Sequence, residues 1–377
     1  MMTVKTTSRT LQSASGATLT FDDGSTAIDL RSGGFGHGQR EIVAAVKAQV
    51  EAMPLSNRVM ITPVLASLVD KIAQLVPGEL SVSYICNSGE ESFDGALKLA
   101  RGANPDRDQV VVVSGSHLGC LSYGQYFSQS GVSLDYLPLR PVFVEANDSK
   151  ALASAITAQT LAVVYEPVLT QQQLLPLSEE FLTTMRTLSK STGATMIAYE
   201  VNTGMGRCGR NFATELTSVV PDVMVIGGAL NAGCVPVGGY VTHKALNDLV
   251  YGKQNPSLHG STTGGNPASC VAALQALLAL ESQGIANRQT QVGAQLVSSI
   301  GGQANCKQAG SLVHVTLKNA AQADAMKQAL SEAGLLVATR GQELHLTPPL
   351  MISDSELAQA CTTLSKLIKQ INVKEAA

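Results

Sequence analysis

The sequence has no tryptophan, and aromatic side chains make up only 4% of its residues. Proteins that stack nucleobases or line carbohydrate grooves depend on aromatic rings, so this scarcity argues against both classes. The formal net charge is -3, which lacks the basic excess expected of a nucleic-acid-binding surface. We therefore expect no nucleic-acid partner.

Charged residues are also few. They account for 15% of the 377 residues, against about 25% in a typical soluble domain, which hints that part of the surface is buried in an oligomer. Hydrophobic residues reach 45%, enough for a substantial core and too many for a disordered chain. A chain of this length is expected to form about two domains.

Cysteine usage and the absence of targeting signals exclude further classes. The seven cysteines are odd in number, form no CxxC motif and have no accompanying histidine cluster, so we expect neither a disulfide framework nor a metal site. The first sixteen residues contain no apolar signal segment. The uncharged stretch Val223–Tyr240 contains five glycines and one proline, and we interpret it as strand, glycine loop and strand. We expect a cytoplasmic protein with no membrane partner.

Short apolar runs alternate with helical patterns along most of the chain. This alternation predicts βαβ units and a mainly parallel sheet. After Asn266 the pattern changes to that of a smaller α+β lobe. The predicted strands of the large sheet are Val82–Cys86, Val110–Val113, Leu161–Tyr165, Thr195–Tyr199 and Val223–Ile226. The predicted divisions are an N-terminal segment at 1–50 that contributes to the small domain, a large domain at 51–280 and a C-terminal small domain at 281–377.

Three segments carry polar groups where a ligand is expected. NSGEESFDGALKLAR (87–101) follows a strand and opens a helix, whose N-terminal amides favour an anion. Glu166 ends one strand and Tyr199-Glu200 ends the next, at the edge where open α/β sheets bind ligands. HGSTTGGNPASC (259–270) is a glycine-rich turn before a long helix.

In this order and spacing, these segments resemble the class III aminotransferases of PLP fold type I, which include acetylornithine, ornithine and glutamate-1-semialdehyde aminotransferase-like enzymes. The match runs from about Phe21 to LHLTPPLMIS near the C-terminus. The resemblance implies a large, mainly parallel α/β domain with a smaller α+β domain, and a dimer with active sites at the subunit interface. It also implies a phosphate cup at Ser88, Gly89 and Glu90, completed by Thr262 of the partner subunit.

The sequence departs from this family at the lysine that carries the cofactor. The family has that lysine in an AKALGGG segment, and the matching position here is Gly228 in VIGGALNAG. No lysine lies between Lys190 and Lys244, so a small shift of the alignment does not supply one. A PLP enzyme needs this amine both to hold the aldehyde and to move protons.

Further departures concern the cofactor ring. Tyr199 occupies the position of the aspartate that pairs with the pyridine nitrogen, and Ser116 replaces an aromatic residue that stacks on the ring. Phe93 replaces a polar residue, and Glu90 places a carboxylate where relatives have a small or hydroxyl residue. Ser88-Gly89, Glu166, Thr262 and Gly264-Gly265-Asn266 are retained, which indicates that a polar pocket remains.

His117 and Glu200 are the catalytic candidates. His117 can be read as a substitute proton shuttle or as a retained residue with a polar packing role, and Glu200 is expected to point to the opposite face of its strand from Tyr199. A pocket filled by Tyr199 and Phe93 would favour a non-catalytic protein, whereas an open pocket with His117 and Glu200 converging would favour chemistry. Lys253, in the loop before His259, is either a solvated loop charge or the candidate for a relocated amine.

Smaller changes fall on the substrate side. Gln171-Gln172-Gln173 replaces a glycine-rich turn of the family. His345 stands where relatives often place an arginine, which weakens the expected carboxylate clamp.

These observations favour a protein that no longer performs PLP-dependent transamination. We expect no cofactor, and either a binding or partner subunit or a repurposed PLP-independent enzyme of amine or amino-acid metabolism. The alternatives are an enzyme that binds PLP or PMP non-covalently and a true aminotransferase with a relocated lysine. The expected partners are a small molecule bearing an amine with a carboxylate or phosphate, and a second subunit in a homodimer or a heterodimer with a related chain.

Overall fold

The computed structural model of the chain describes residues 9–56, 60–128, 137–172, 174–252 and 259–376. The N-terminal part forms an antiparallel three-stranded unit followed by two helices. Thr62 caps the second helix by accepting a hydrogen bond from the Leu65 amide, with Pro63 at the first helical position. The elements are β1 (Leu11–Ser15), β2 (Thr18–Phe21), β3 (Thr26–Asp29), α1 (Arg40–Ala52) and α2 (Pro63–Leu75).

The middle of the chain alternates strands and helices. Two short 3₁₀ helices, Ala213–Leu216 and Gly228–Asn231, interrupt this part. The elements are β4 (Leu80–Cys86), α3 (Gly89–Ala103), β5 (Gln109–Val113), α4 (Ser122–Phe127), β6 (Arg140–Val144), α5 (Ser149–Ala155), β7 (Thr160–Tyr165), β8 (Val168–Leu169), β9 (Leu175–Pro176), α6 (Glu179–Thr192), β10 (Thr195–Tyr199), β11 (Val223–Ile226), β12 (Gly238–His243), α7 (Lys244–Tyr251) and α8 (Pro267–Ser282).

Seven of these strands form one sheet in the order β4-β12-β11-β10-β7-β5-β6. The strands β11, β10, β7, β5 and β6 pair in parallel, and β12 is antiparallel to both of its neighbours. Every residue of β7, β10 and β11 is buried, as expected for parallel strands that helices cover on both faces. This confirms the predicted α/β fold with a large, mainly parallel sheet.

The C-terminal part forms a second, smaller sheet in the order β13-β14-β17-β16, packed with helices. Another strand of the C-terminal part, β15, lies outside this sheet and pairs in parallel with β3, so the two ends of the chain share a sheet. The elements are α9 (Ile285–Ile300), β13 (Asn305–Ala309), β14 (Leu312–Thr316), α10 (Ala320–Glu332), β15 (Leu335–Leu336), β16 (Ala338–Arg340), β17 (Glu343–Leu346) and α11 (Asp354–Ala376).

The uncharged stretch Val223–Tyr240 forms β11, a glycine-containing loop and the start of β12, as predicted. Among the described helices, none alone has the length and hydropathy needed to cross a membrane, although the pair α8 and α9, bent by 72°, passes that test jointly by length and composition. The predicted domain limits at residues 50 and 280 stay predictions.

Candidate functional site

The carboxyl ends of the central strands place the sequence-predicted residues at one edge of the large sheet. Glu166 follows β7, Tyr199 ends β10, and Gly227-Gly228 follows β11. The helix α3 begins at the same edge, directly after β4 and Asn87-Ser88. Ligands bind in the crevice at this edge of open α/β sheets.

Glu166 connects three of these segments. Its fully buried carboxylate accepts hydrogen bonds from the His117 amide at 2.8 Å, the Thr170 hydroxyl at 2.9 Å and the Asn202 side-chain amide at 3.1 Å. The Ser116 hydroxyl accepts from the Glu166 amide at 3.1 Å. Burial raises the pKa of Glu166 to about 7, although these hydrogen bonds oppose the rise. Glu166 therefore fixes the loop that carries His117.

His117 is partly buried, and burial lowers the pKa of its imidazole. The positive charge of Arg340 lowers this pKa further, while the negative charge of Glu90 opposes both effects. The imidazole is therefore in electrostatic reach of a residue of the small sheet and of a residue at the start of α3. At neutral pH this environment favours the neutral imidazole.

Glu200 lies on the other side of β10, as the alternation of strand side chains predicts. Its buried carboxylate accepts from the Thr214 amide and hydroxyl, both at 2.6 Å, and from the Ala213 amide at 3.1 Å. Burial raises its pKa against these hydrogen bonds. Glu200 thus holds the 3₁₀ turn at Ala213–Leu216 and does not join His117 in a shared site. The prediction of Glu200 as a catalytic candidate finds no support in this geometry.

Tyr199 fills space at the strand edge. Its side chain is 1% exposed, and its ring meets the Phe93 ring edge to face with centroids 5.6 Å apart. A Cβ on Gly119 would lie 3.1 Å from the Tyr199 hydroxyl and 2.5 Å from Cγ of Glu90, so both side chains crowd the Gly119 backbone. Burial raises the pKa of Tyr199 well above its usual value, and the Glu90 charge raises it further. The phenol stays neutral and lies next to a carboxylate.

Gly228, which the resemblance aligned with the lysine of the family, has no room for a side chain. Its φ of 56° lies in the left-handed region, and a Cβ there would collide with the carbonyl oxygen of Val201. A lysine at this position would need the backbone to move. The other candidate amine, Lys253, lies outside the described residues, as does Gln173.

The N-terminus of α3 is satisfied by the chain itself. The Ser88 hydroxyl accepts from the Glu91 amide at 3.1 Å, and the Glu91 carboxylate accepts from the Asn87 amide at 2.6 Å. Burial works to raise the pKa of Glu91, but hydrogen bonds from Ser261 and Asn87 outweigh it, and the pKa is lowered. Together with Glu90, two carboxylates occupy the first turn of this helix, where the helix dipole favours negative charge.

The remaining member of the predicted phosphate cup, Thr262, is exposed. Its neighbour Thr263 donates a hydrogen bond to the Asn87 side-chain oxygen at 3.0 Å. A role for Thr262 in the cup of a partner subunit stays a prediction.

Two cavities open beside Gly228. One, of about 570 Å³, borders the start of α3 and includes Ser88, Gly89 and Glu90. The other, of about 350 Å³, lies between the large sheet and the small sheet, and among the described residues it is lined by three arginines and by no aspartate or glutamate. The arginines and the histidine that line it are Arg31, Arg207, Arg340 and His345.

The three arginines were missed in the sequence. Arg207 is 3% exposed and donates to the Pro348 carbonyl at 2.8 Å and the Gly34 carbonyl at 3.4 Å. Burial lowers its pKa to about 10, which leaves it charged at neutral pH. Arg207 and Arg31 stand in glycine-rich loops, and this loop composition was the feature of the sequence that could have identified them as site residues. Arg340 gave no signal, because β16 approaches the cavity only through the folding of the small domain.

The residues present do not fit PLP held on a lysine. Gly228, at the position that the resemblance assigned to the amine, has a backbone conformation that excludes side chains. Tyr199, which the resemblance aligned with the aspartate that pairs with the cofactor ring, is a bulky phenol packed against Phe93. The N-terminus of α3, which would hold the cofactor phosphate, carries the Glu90 and Glu91 carboxylates. These negative charges repel a phosphate.

Comparison with known proteins identifies the family and the fold. The family described as Aminotransferase class-III matches residues 2–368 of the chain. The ornithine aminotransferase of Toxoplasma gondii ME49 superposes with a TM-score of 0.89 at 24% identity, covering 99% of this chain and 93% of that one. A transaminase from the marine bacterium Virgibacillus gives a TM-score of 0.87 at 22% identity, covering 98% and 95%.

A second structure of the Toxoplasma gondii ornithine aminotransferase was obtained with oxidized glutathione and has partial occupancy of PLP at its active site. It matches with a TM-score of 0.86 at 24% identity and covers 100% of this chain and 94% of that one. At these identities the likeness establishes the shared fold.

Proposed function

The chain belongs to the class III aminotransferase family, and from this membership we propose that it binds a small organic anion without performing PLP-dependent transamination. One observation carries this proposal. The cavity beside Gly228 presents three arginines and a histidine, and the sequence resemblance aligned that glycine with the lysine of the family. Guanidinium groups bind carboxylates and phosphates through paired hydrogen bonds, whereas the covalent step of the family needs a primary amine.

The arginines differ in how free they are to contact a ligand. Arg207 is held by two main-chain carbonyls, and Arg31 pairs with Asp29 at 3.2 Å. Arg340 is exposed and contacts the Gln171 side-chain oxygen at 3.4 Å. Of the three, Arg340 is both exposed and paired with a neutral group, so its charge is the one most available to an incoming carboxylate or phosphate, and Arg207 adds a fixed positive charge to the same cavity.

The size of the cavity limits the ligand. At about 350 Å³ it lies near the lower end of small-molecule sites in proteins. Asn202, Thr170 and Thr347 add neutral polar groups to its wall. These features favour a small carboxylate or phosphate compound over a polymer or an extended cofactor.

The filled ring position favours binding over a repurposed reaction. A repurposed enzyme would need an open pocket in which acid and base groups converge. Here the buried rings of Tyr199 and Phe93 pack together and fill that space. His117 and Glu200 each have separate surroundings. A binding or partner subunit of amino-acid metabolism is therefore the function that we propose.

We also propose that the chain works as a dimer, either with itself or with a related subunit. Three apolar side chains close together in the sequence support this, because Leu55 is 58%, Met60 64% and Ile61 82% exposed. Exposed apolar groups in one short segment are typical of a protein interface. Light scattering of the purified protein tests the proposal, and a monomer at micromolar concentration would exclude the homodimer.

Calorimetric titration with a panel of small carboxylates, inorganic phosphate and the diamine putrescine tests the anion site. We expect saturable binding of at least one anion and none of the diamine. Arg340→Gln is expected to weaken that binding by roughly tenfold or more, since a charge-assisted hydrogen bond contributes about 1.5–3 kcal/mol. The exposed Arg210, which does not line the cavity, provides the matched control in Arg210→Gln.

Two results would overturn the proposal. One is the absence of binding by every anion of the panel. The other is equal anion affinity in the Arg340→Gln and Arg210→Gln variants, which would place the anion elsewhere on the surface.

A further inference from the structure

Three side chains of the types that bind metal ions lie together on the small sheet, and one of them borders the arginine-lined cavity. His314 on β14 is the register partner of His345 on β17. Glu343 precedes His345 by two positions on the same strand and therefore faces the same side of the sheet. His345 also lines the cavity. The sequence did not indicate this group, because its members come together only when β14 and β17 pair.

The three side chains converge on one carboxylate oxygen. Oε2 of Glu343 lies 3.6 Å from Nδ1 of His314 and 3.5 Å from Nε2 of His345. One potential ligand atom from each residue lies within 4.8 Å of the other two. These separations are close to those between ligands that share one metal ion, since metal bonds of about 2.0–2.2 Å hold neighbouring ligands roughly 3–4 Å apart.

Both histidines are buried, with 3% and 6% of their surface exposed. Among the described residues, Nδ1 of His314 and Nε2 of His345 have no hydrogen-bond partner. Buried polar atoms in native proteins are almost always paired, because an unpaired one carries its full desolvation penalty. The Glu343 carboxylate lies 3.6 and 3.5 Å from these two nitrogens, beyond a good hydrogen bond, and an ion among the three groups would pair with all of them.

We propose that His314, Glu343 and His345 bind a divalent transition-metal ion of the zinc type. Two imidazole nitrogens and one carboxylate match the ligand preference of zinc and its neighbours, whereas magnesium and calcium prefer oxygen ligands only. Of the three residues, His345 lines the adjoining cavity.

Two features set the affinity of this site. The two rings stack with centroids 3.7 Å apart and an angle of 9°, so one ring must turn out of the stack to direct its in-plane lone pair at the ion. Lys307 and Arg340 are the register neighbours of His314 and Glu343, and their positive charges oppose a cation. We therefore expect weaker binding than at a closed four-ligand site.

Titration of the full-length, tag-free protein with ZnCl₂ by calorimetry, and with CoCl₂ by visible absorbance, tests this site. We expect one saturable ion per chain and cobalt bands without sulfur charge-transfer absorption, which separates the site from the exposed Cys120 and Cys234. His345→Gln and Glu343→Gln are each expected to weaken binding at least tenfold, the size of effect seen when metal-site partners are removed.

The exposed His37 provides the control, and His37→Gln is expected to leave the metal affinity unchanged. Circular dichroism and a thermal melt check that each variant is folded, and His314→Gln serves as the second variant if one of the others is not. The absence of saturable binding would overturn the proposal. So would binding that folded His345→Gln and Glu343→Gln variants leave intact.

Discussion

At Gly228 two local constraints act on the same atom. The positive φ disfavours every residue with a Cβ, and the Val201 carbonyl oxygen occupies the place where that Cβ would lie. The position therefore specifies glycine for reasons of backbone geometry. A lysine cannot be placed here by substitution alone without movement of the backbone.

The cost of a side chain at Gly228 can be separated from the cost of its backbone conformation. Gly24 has a φ of 78° and no atom near its would-be Cβ, so Gly24→Ala should cost only about 1–2 kcal/mol for the left-handed conformation. Gly228→Ala adds the collision with Val201 and should cost roughly 3 kcal/mol or more in unfolding free energy. Urea unfolding of both variants measures the difference.

Equal destabilisation by the two substitutions would contradict this account of Gly228. It would mean that the loop after β11 relaxes freely, and a lysine at this position would then be sterically possible.

Some site residues can be identified from sequence, and others cannot. Gly228 and Tyr199 are recognisable because they stand in motifs whose order and spacing survive. The crowding of Gly119 by Glu90 and Tyr199 is different, because these residues are far apart in sequence and meet only in the folded sheet edge. Arg340 is hidden for the same reason.

At the scale of elements, Glu166 is the junction of the site. It follows β7 and binds the His117 amide after β5, the Thr170 hydroxyl before β9 and the Asn202 side chain after β10. Three loops are thus held by one carboxylate. The sequence identified Glu166 as a strand-end residue, but its hydrogen-bond partners depend on the order of the strands in the sheet.

The raised pKa of Glu166, about 7 against a usual 4.5, predicts a pH dependence of stability. Between these values the unfolded chain releases the proton that the folded chain retains, so the unfolding free energy should fall as pH rises from about 4.5 to 7. The rise in pKa corresponds to a loss of unfolding free energy on the order of 3 kcal/mol. Urea unfolding at several pH values measures it.

Glu166→Gln is expected to reduce this pH dependence. It should also lower the unfolding free energy at acidic pH, because the new glutamine NH₂ group would face a hydrogen-bond donor that the carboxyl oxygen now accepts from. The exposed Glu180 provides the control, since Glu180→Gln should leave the slope unchanged. A Glu166→Gln variant that retains the full slope would assign the effect to other carboxylates, of which buried Glu200 is the first candidate.

At the scale of the whole molecule, hydrophobic periodicity is sufficient to predict the α/β class and most strands. It does not predict that β12 runs against its neighbours, because strand direction depends on the connection through the loop at 227–237. The pairing of β3 with β15 is equally hidden, since it joins residues near opposite ends of the chain.

Glu356 at the start of α11 strengthens this junction of the two ends. Its carboxylate accepts from the Ala17 amide at 2.9 Å, the Thr18 hydroxyl at 2.8 Å and the Ser353 amide at 2.9 Å. Burial alone would raise its pKa, but these hydrogen bonds outweigh it and the pKa is lowered. The stabilisation is therefore present above the unfolded pKa and is lost as pH falls through the folded pKa.

Glu356→Gln should lower the unfolding free energy at pH 7 by about 1–3 kcal/mol, the usual effect of weakening hydrogen bonds to a charged group. The effect should shrink toward acidic pH. The exposed Glu332 gives the control Glu332→Gln, for which we expect a change below about 0.5 kcal/mol. An equal and pH-independent loss in both variants would show that Glu356 does not join the two ends.

The central proposal is that this chain holds no PLP on a lysine. The most direct measurement is an absorbance titration of the purified protein with PLP and with PMP, followed by borohydride reduction and intact mass. We predict no gain in mass at a specific lysine. A saturable change of the cofactor band without an adduct would establish non-covalent binding, whereas a reducible adduct at one lysine, with Lys253 the first to be examined, would contradict the claim.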